Sequence, residues 1–127
     1  MLHQSLPDSV LQRVPDRSTP CGQLINSYLT KEAAFPDQSI HLLFSANRWE
    51  LAESIKSNLN SGKTVILDRY VVSGCAYTIA KGFDPNWCLS PDIGLPKPDI
   101  TIYMKLSALE AAKRGEFGNE IYETSEF

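Results

Sequence analysis

No uninterrupted apolar run in these 127 residues approaches the roughly 18 needed to cross a bilayer. The start, Met-Leu-His-Gln-Ser-Leu-Pro, lacks the charged opening and apolar stretch of a signal peptide. Cysteine is scarce: Cys21, Cys75 and Cys88 make an odd count without C-x-x-C spacing. That disfavours a disulfide scaffold or a zinc site and points to a reducing, intracellular compartment. His3 and His41 have no partner at metal-ligand spacing and are read as structural or exposed. There is no positive excess either, since 12 Lys and Arg stand against 15 Asp and Glu, a net of −3. A nucleic-acid polymer or an anionic membrane surface is therefore a poor partner. What the chain does have, 43% hydrophobic and 9% aromatic residues, suffices for one packed domain.

The spacing predicts alternating strands and helices. Ser9 to Val14 is a strand candidate. Thr19-Pro20 opens a helix with a hydroxyl cap and a proline at the first position, and Leu24, Ile25, Tyr28 and Leu29 form its apolar face. A longer helix begins near Pro36-Asp37, with Asp37 as cap, and stops before Gly62; Ile40, Leu43, Phe44, Leu51, Ile55 and Leu59 keep helical spacing. Thr64 to Leu67 is a β-branched apolar run of the kind buried on both faces of a parallel sheet. A helix from about Tyr70 to Lys81 follows, closed by Gly82, then an irregular stretch through Pro85, Pro91, Pro96 and Pro98. Ile100 to Leu106 reads as another strand, Ser107 and Glu110 as the capping box of a short helix, and Gly115 to Phe127 as a loop. The class is α/β with a parallel sheet.

Charged groups concentrate where such folds place chemistry. Ligands bind beyond the carboxyl ends of parallel strands, and the Thr64 strand ends in Asp68-Arg69-Tyr70. An Asp there can hold Mg²⁺ and an Arg can fork to a phosphate; equally, Asp68 can cap the next helix with Arg69 solvated. Phe44 and Arg48 lie four apart and share a helix face, able to grip a flat heterocycle or simply to pair a core ring with a surface cation. Arg17, in Pro15-Asp16-Arg17-Ser18-Thr19, faces the same sheet edge as Arg69. Lys113 to Gly118 is a basic loop that can close over polyphosphate or merely place cations at a helix C-terminus. Gly62-Lys63-Thr64 mimics the end of a phosphate-binding P-loop, but Ser57 stands where the first glycine belongs, and the chain runs helix to strand instead of strand to helix. It is a turn. The cysteines, Trp49 and Trp87 are read as packing residues.

Taken in order, Pro15-Asp16-Arg17-Ser18-Thr19, His41 to Glu50, Leu67-Asp68-Arg69-Tyr70 and Pro91 to Asp99 closely resemble eukaryotic thymidylate kinase, and Ala112 to Glu123 resembles that family's lid segment. The resemblance implies a P-loop kinase-like parallel sheet flanked by helices, with 1–127 a partial domain comprising the substrate-binding part and the lid segment. It lacks the family's first strand with its P-loop and the C-terminal helices and last strand. The implied activity is phosphorylation of dTMP to dTDP by ATP with Mg²⁺, in the cytoplasm and as further options the nucleus or mitochondrion, by a protein that is typically a homodimer. The alternative is a non-catalytic remnant that binds dTMP weakly or serves only as an interaction partner. By position, the resemblance assigns Arg17 and Arg69 to the dTMP phosphate and Asp68 to the region of the metal and transferring phosphate. It assigns Phe44 to stacking on thymine, Arg48 to its edge, Ser73 and Tyr77 to the nucleoside pocket, Tyr122 to the sugar and Arg114 to the phosphates from the lid. Ile121 and Asn119 depart from the family pattern. Without the P-loop strand, Thr64 to Leu67 and Ile100 to Leu106 are expected to lack their shared neighbour.

Overall fold

The computed structural model describes residues 2–113 and 120–122. Two parallel strands, β1 (Ser9–Arg13) and β2 (Thr64–Asp68), pair in register from Ser9 against Thr64 to Arg13 against Asp68. Around them lie α1 (Leu2–Ser5), α2 (Pro20–Leu29), α3 (Asp37–Asn60), α4 (Val71–Ala80), α5 (Pro85–Leu89) and α6 (Ala108–Ala112). The expected α/β architecture with a parallel sheet is present. No helix among the described residues is long and apolar enough to cross a membrane.

Local chemistry explains most of the boundaries. Thr19 caps α2 by accepting from the Gly22 N–H, with Pro20 in the first turn. Gly62 follows α3 at φ +79°, a left-handed position that favours glycine, so Gly62-Lys63-Thr64 is the turn into β2. Ser107 and Glu110 make the full capping box of α6. Asp37 is not the cap of α3: Pro36 holds that position, and the Asp37 carboxylate lies 2.6 Å from Lys81 Nζ. The stretch after Gly82 is less irregular than expected. Asp84 accepts from Trp87 N–H and Pro85 occupies the first turn, which starts α5, and a 3₁₀ turn spans Ser90–Asp92.

The core falls in two clusters. Ile25, Tyr28 and Leu29 of α2 pack on Ile40 of α3, while Val14, Leu51 and Ile55 gather Val65 and Leu67 of β2. Leu24 and Leu59 of the expected apolar faces are exposed. Of the cysteines, Cys75 and Cys88 are buried and Cys21 is half-buried. Val65, Ile66 and Leu67 are half-buried instead of enclosed, and among the described residues the sheet has two strands.

The expected strand at Ile100–Leu106 does not form. A strand exists only by pairing, and among the described residues nothing pairs with this segment. Ile100, Tyr103 and Met104 remain more than 80% exposed at 81, 85 and 83%. As expected, Thr64–Leu67 and Ile100–Leu106 have no shared neighbour: among the described residues β2 pairs with β1 alone, and no strand lies between it and Ile100–Leu106.

Candidate functional site: an arginine-edged aromatic slot

The loop leaving β1 is pinned from two sides. Gly22 lies so close to it that a Cβ there would stand 1.8 Å from the Asp16 carbonyl oxygen. Asn47 of α3, fully buried, accepts from Asp16 N–H at 2.9 Å and donates to the Asp16 carbonyl at 3.0 Å and to Thr19 Oγ1 at 2.8 Å. Thr19 Oγ1 in turn donates to Glu50 Oε2 at 2.6 Å. Burial alone would raise the Glu50 carboxyl, but these donors outweigh it and hold it below its ordinary range. The loop therefore presents Arg17 from a rigid base. Its guanidinium donates to Asn26 Oδ1 at 3.0 Å and pairs with Glu120 Oε1 at 2.6 Å.

At the end of β2, the Asp68 carboxylate is 60% exposed and 4.0 Å from Arg13 Nε. Arg69 then takes φ +67°, a left-handed conformation that costs a non-glycine residue roughly 1–3 kcal/mol when held there. It makes no hydrogen bond or ion pair among the described residues. Beside it, the Tyr70 hydroxyl is buried without a hydrogen-bond partner among the described residues; burial pushes its pKa up, and the nearby Arg48 charge opposes this.

Phe44 and Arg48 lie one turn apart on α3. Arg48 is 1% exposed, and its Nε and Nη2 fork onto Asp92 Oδ1 and Oδ2 at 2.9 and 2.7 Å. Ser45 Oγ donates to the same Oδ1 at 2.7 Å. Across the slot, α4 contributes Ser73, Gly74 and Tyr77. Tyr122 stacks on Tyr77 with ring centres 4.6 Å apart. Lys81 Nζ donates to Asp37 Oδ1 at 2.6 Å and to the Tyr122 hydroxyl at 3.2 Å. Burial would depress the Lys81 ammonium, but these bonds outweigh it and hold its pKa above the ordinary value. Tyr122 is pushed up to about 12, by burial first and then by its contact with Tyr28, with Lys81 opposing.

One pocket brings together Arg17, Phe44, Arg48, Arg69, Ser73, Tyr77 and Tyr122. Its cavity volume is about 80 Å³, narrowed by Glu120 and Tyr122, which also line it. Asp68 does not line it, and Arg114 lies outside the described residues. A larger groove of about 460 Å³ beside the C-terminal end of α2 contains none of the expected site residues. Sequence reasoning missed Asn47, Gly74, Lys81 and Asp92. Two of these stand inside the quoted motifs, but pairings across 31 and 44 positions leave no local signal. His41 is structural, as read: its ring bonds Thr78 Oγ1 and the Cys88 carbonyl, both at 2.8 Å. Trp87 packs on that ring, and Trp49, 41% exposed, donates to the Pro91 carbonyl at 2.8 Å.

Parallel strands whose carboxyl edge carries arginines over an aromatic slot define an α/β protein able to hold a flat ring bearing an anionic group. The thymidylate kinase family model matches residues 1–127. A thymidylate kinase of Danio rerio is 50% identical over 127 residues, 99% of this chain and 60% of the relative, and that of Homo sapiens 52% identical over 118 residues, 92% and 56%. The solved thymidylate kinase of Candida albicans superposes with a TM-score of 0.92 at 48% identity, over 97% of this chain and 62% of that one. The chain belongs to the thymidylate kinase family and has the P-loop kinase fold of a fragment of it. It spans somewhat more than half the length of these relatives.

Proposed function

We propose that the slot binds dTMP and that residues 1–127 are the substrate-binding part and lid segment of a kinase converting dTMP to dTDP with ATP and Mg²⁺. The observation that carries this reading is Arg69: a cation at a strand end with no hydrogen bond or ion pair among the described residues, in a strained backbone conformation, in the same pocket as an aromatic ring and a buried arginine. Arg17 and Arg69 take the phosphate, Phe44 stacks on thymine and Arg48 donates to its edge. Ser73 and Tyr77 line the nucleoside and Tyr122 packs at the sugar, while Arg114, outside the described residues, is assigned to the phosphates by the family resemblance. Glu120 now offers Arg17 the carboxylate that a phosphate would replace, so binding requires that pair to open.

Phosphoryl transfer asks the protein for positioning and for cations on the equatorial oxygens, and these arginines are suited to both tasks. No cluster of potential metal ligands occurs among the described residues. Asp68 offers one exposed carboxylate, which suits Mg²⁺, an ion that keeps waters and takes one or two carboxylates beside substrate phosphates. Mg²⁺ would supply charge neutralisation on those phosphates.

A thermal-shift titration with dTMP, paired with an ADP-release assay containing ATP, Mg²⁺ and dTMP, tests the proposal. Stabilisation by dTMP that weakens at least tenfold in Arg69→Ala supports the site, and ADP release dependent on dTMP supports the reaction. Binding without turnover leaves the non-catalytic reading standing. No stabilisation and no turnover in the wild-type chain refutes the assignment.

A further inference from the structure

Arg48 is the buried arginine among the described residues, and its orientation is over-determined. Two of its three guanidinium nitrogens, Nε and Nη2, are taken by the two oxygens of Asp92. Because the guanidinium is planar, fixing those two fixes the third. Nη1 makes no hydrogen bond among the described residues and lies against Gly74, where a Cβ would stand 2.6 Å away. Asp92 is itself anchored. Ser45 Oγ donates to it at 2.7 Å, and Trp49 Nε1 donates to the carbonyl of Pro91 at 2.8 Å, holding the turn that carries it. A buried ion pair is a poor device for stability alone, since well-packed apolar residues of similar volume often do as well or better.

We infer that Asp92 and Gly74 are positioning residues that aim Arg48 Nη1 into the slot, and so set its preference for a base presenting a ring carbonyl at that edge over one presenting an amino group. Asp92 holds the guanidinium plane, and the missing side chain at position 74 leaves Nη1 room beside α4. Nη1 carries hydrogens only, so a carbonyl oxygen completes it, whereas an amino group meets it donor to donor. The inference rests on the proposed dTMP site.

Isothermal titration of the full chain with dTMP, dCMP and inorganic phosphate tests it, using the wild type, Asp92→Asn and Gly74→Ala. The wild type is expected to prefer dTMP to dCMP. In each variant that preference falls at least tenfold while phosphate affinity stays within twofold, a selective change that general loosening of the fold would not produce. Circular dichroism melts identify the folded variants, and Gly74→Ala carries the test if Asp92→Asn does not fold. A folded variant with an unchanged dTMP-to-dCMP ratio overturns the positioning role while leaving the dTMP site intact. Unfolding of both variants assigns the two residues a structural role only and overturns it as well. A wild-type chain that does not bind dTMP refutes the site itself, and the inference with it.

Discussion

Replacing Asp92 by alanine strands Arg48 as a buried cation. Both groups are almost wholly enclosed, with side-chain exposures of 2 and 3%, so water cannot take over the lost contacts. Two charge-assisted hydrogen bonds from Arg48 and a third from Ser45 disappear together. Removing one partner of such a pair costs about 3–5 kcal/mol, a large share of the roughly 5–15 kcal/mol that holds a domain folded. For a chain of this length, that corresponds to a fall in melting temperature of roughly 10–20 °C. Replacing both partners, as Arg48→Met with Asp92→Leu, removes the charge along with its counterion. That double variant should recover at least about 2 kcal/mol relative to the sum of the single changes. Urea denaturation of the four proteins in a double-mutant cycle measures this. If Asp92→Ala costs less than about 1 kcal/mol, or the single effects simply add, Arg48 and Asp92 do not compensate each other as a buried pair.

Thr19→Ala removes the cap of α2 and a member of the Asn47–Glu50 network, and a loss of about 1–2 kcal/mol is expected in urea denaturation. Gly22→Ala should be worse: the added Cβ meets backbone that cannot swing aside, so α2 must leave the Asp16 loop, and a loss of about 3 kcal/mol or more, or of the cooperative melt, should appear by circular dichroism. In alkali, Tyr122 keeps its proton to about pH 12 and Lys81 holds its proton above its ordinary 10.5. The unfolded chain releases both near pH 10, so the native state binds more protons in that window. Stability is therefore full below about pH 10 and falls as pH rises toward 12. Melting temperatures across that range should drop less steeply in Tyr122→Phe, and ultraviolet titration should show Tyr122 and Tyr70 titrating late in the wild type, with one late tyrosine lost in Tyr122→Phe.

Wherever the cause of a feature lies within a few residues, the chain spells it out. Thr19-Pro20, Gly62, and Ser107 with Glu110 marked helix ends correctly because capping is an interaction between near neighbours. Asp84-Pro85 carries the same kind of signal for α5. Asp37 falls inside the first turn of α3 and not at its cap, and its carboxylate is taken by Lys81, 44 positions along the chain. The resemblance to thymidylate kinase assigned Arg17, Phe44, Arg48, Arg69, Ser73, Tyr77 and Tyr122 to one nucleotide site, and these seven residues line one pocket.

Residue identity and near-neighbour spacing thus determined the α/β class and most helix ends, and the resemblance to a known family proposed the members of the slot. The tertiary structure alone decided how those members are held. It put Asp92 under Arg48, Asn47 beneath the Arg17 loop, and Lys81 against Tyr122. It also decided that Ile100–Leu106, apolar and β-branched as a strand should be, is exposed and has no strand partner among the described residues. The physical reason is common to both. Burial of a charge and pairing of a strand depend on a partner brought near by folding, and no residue carries its distant partner in its own neighbourhood.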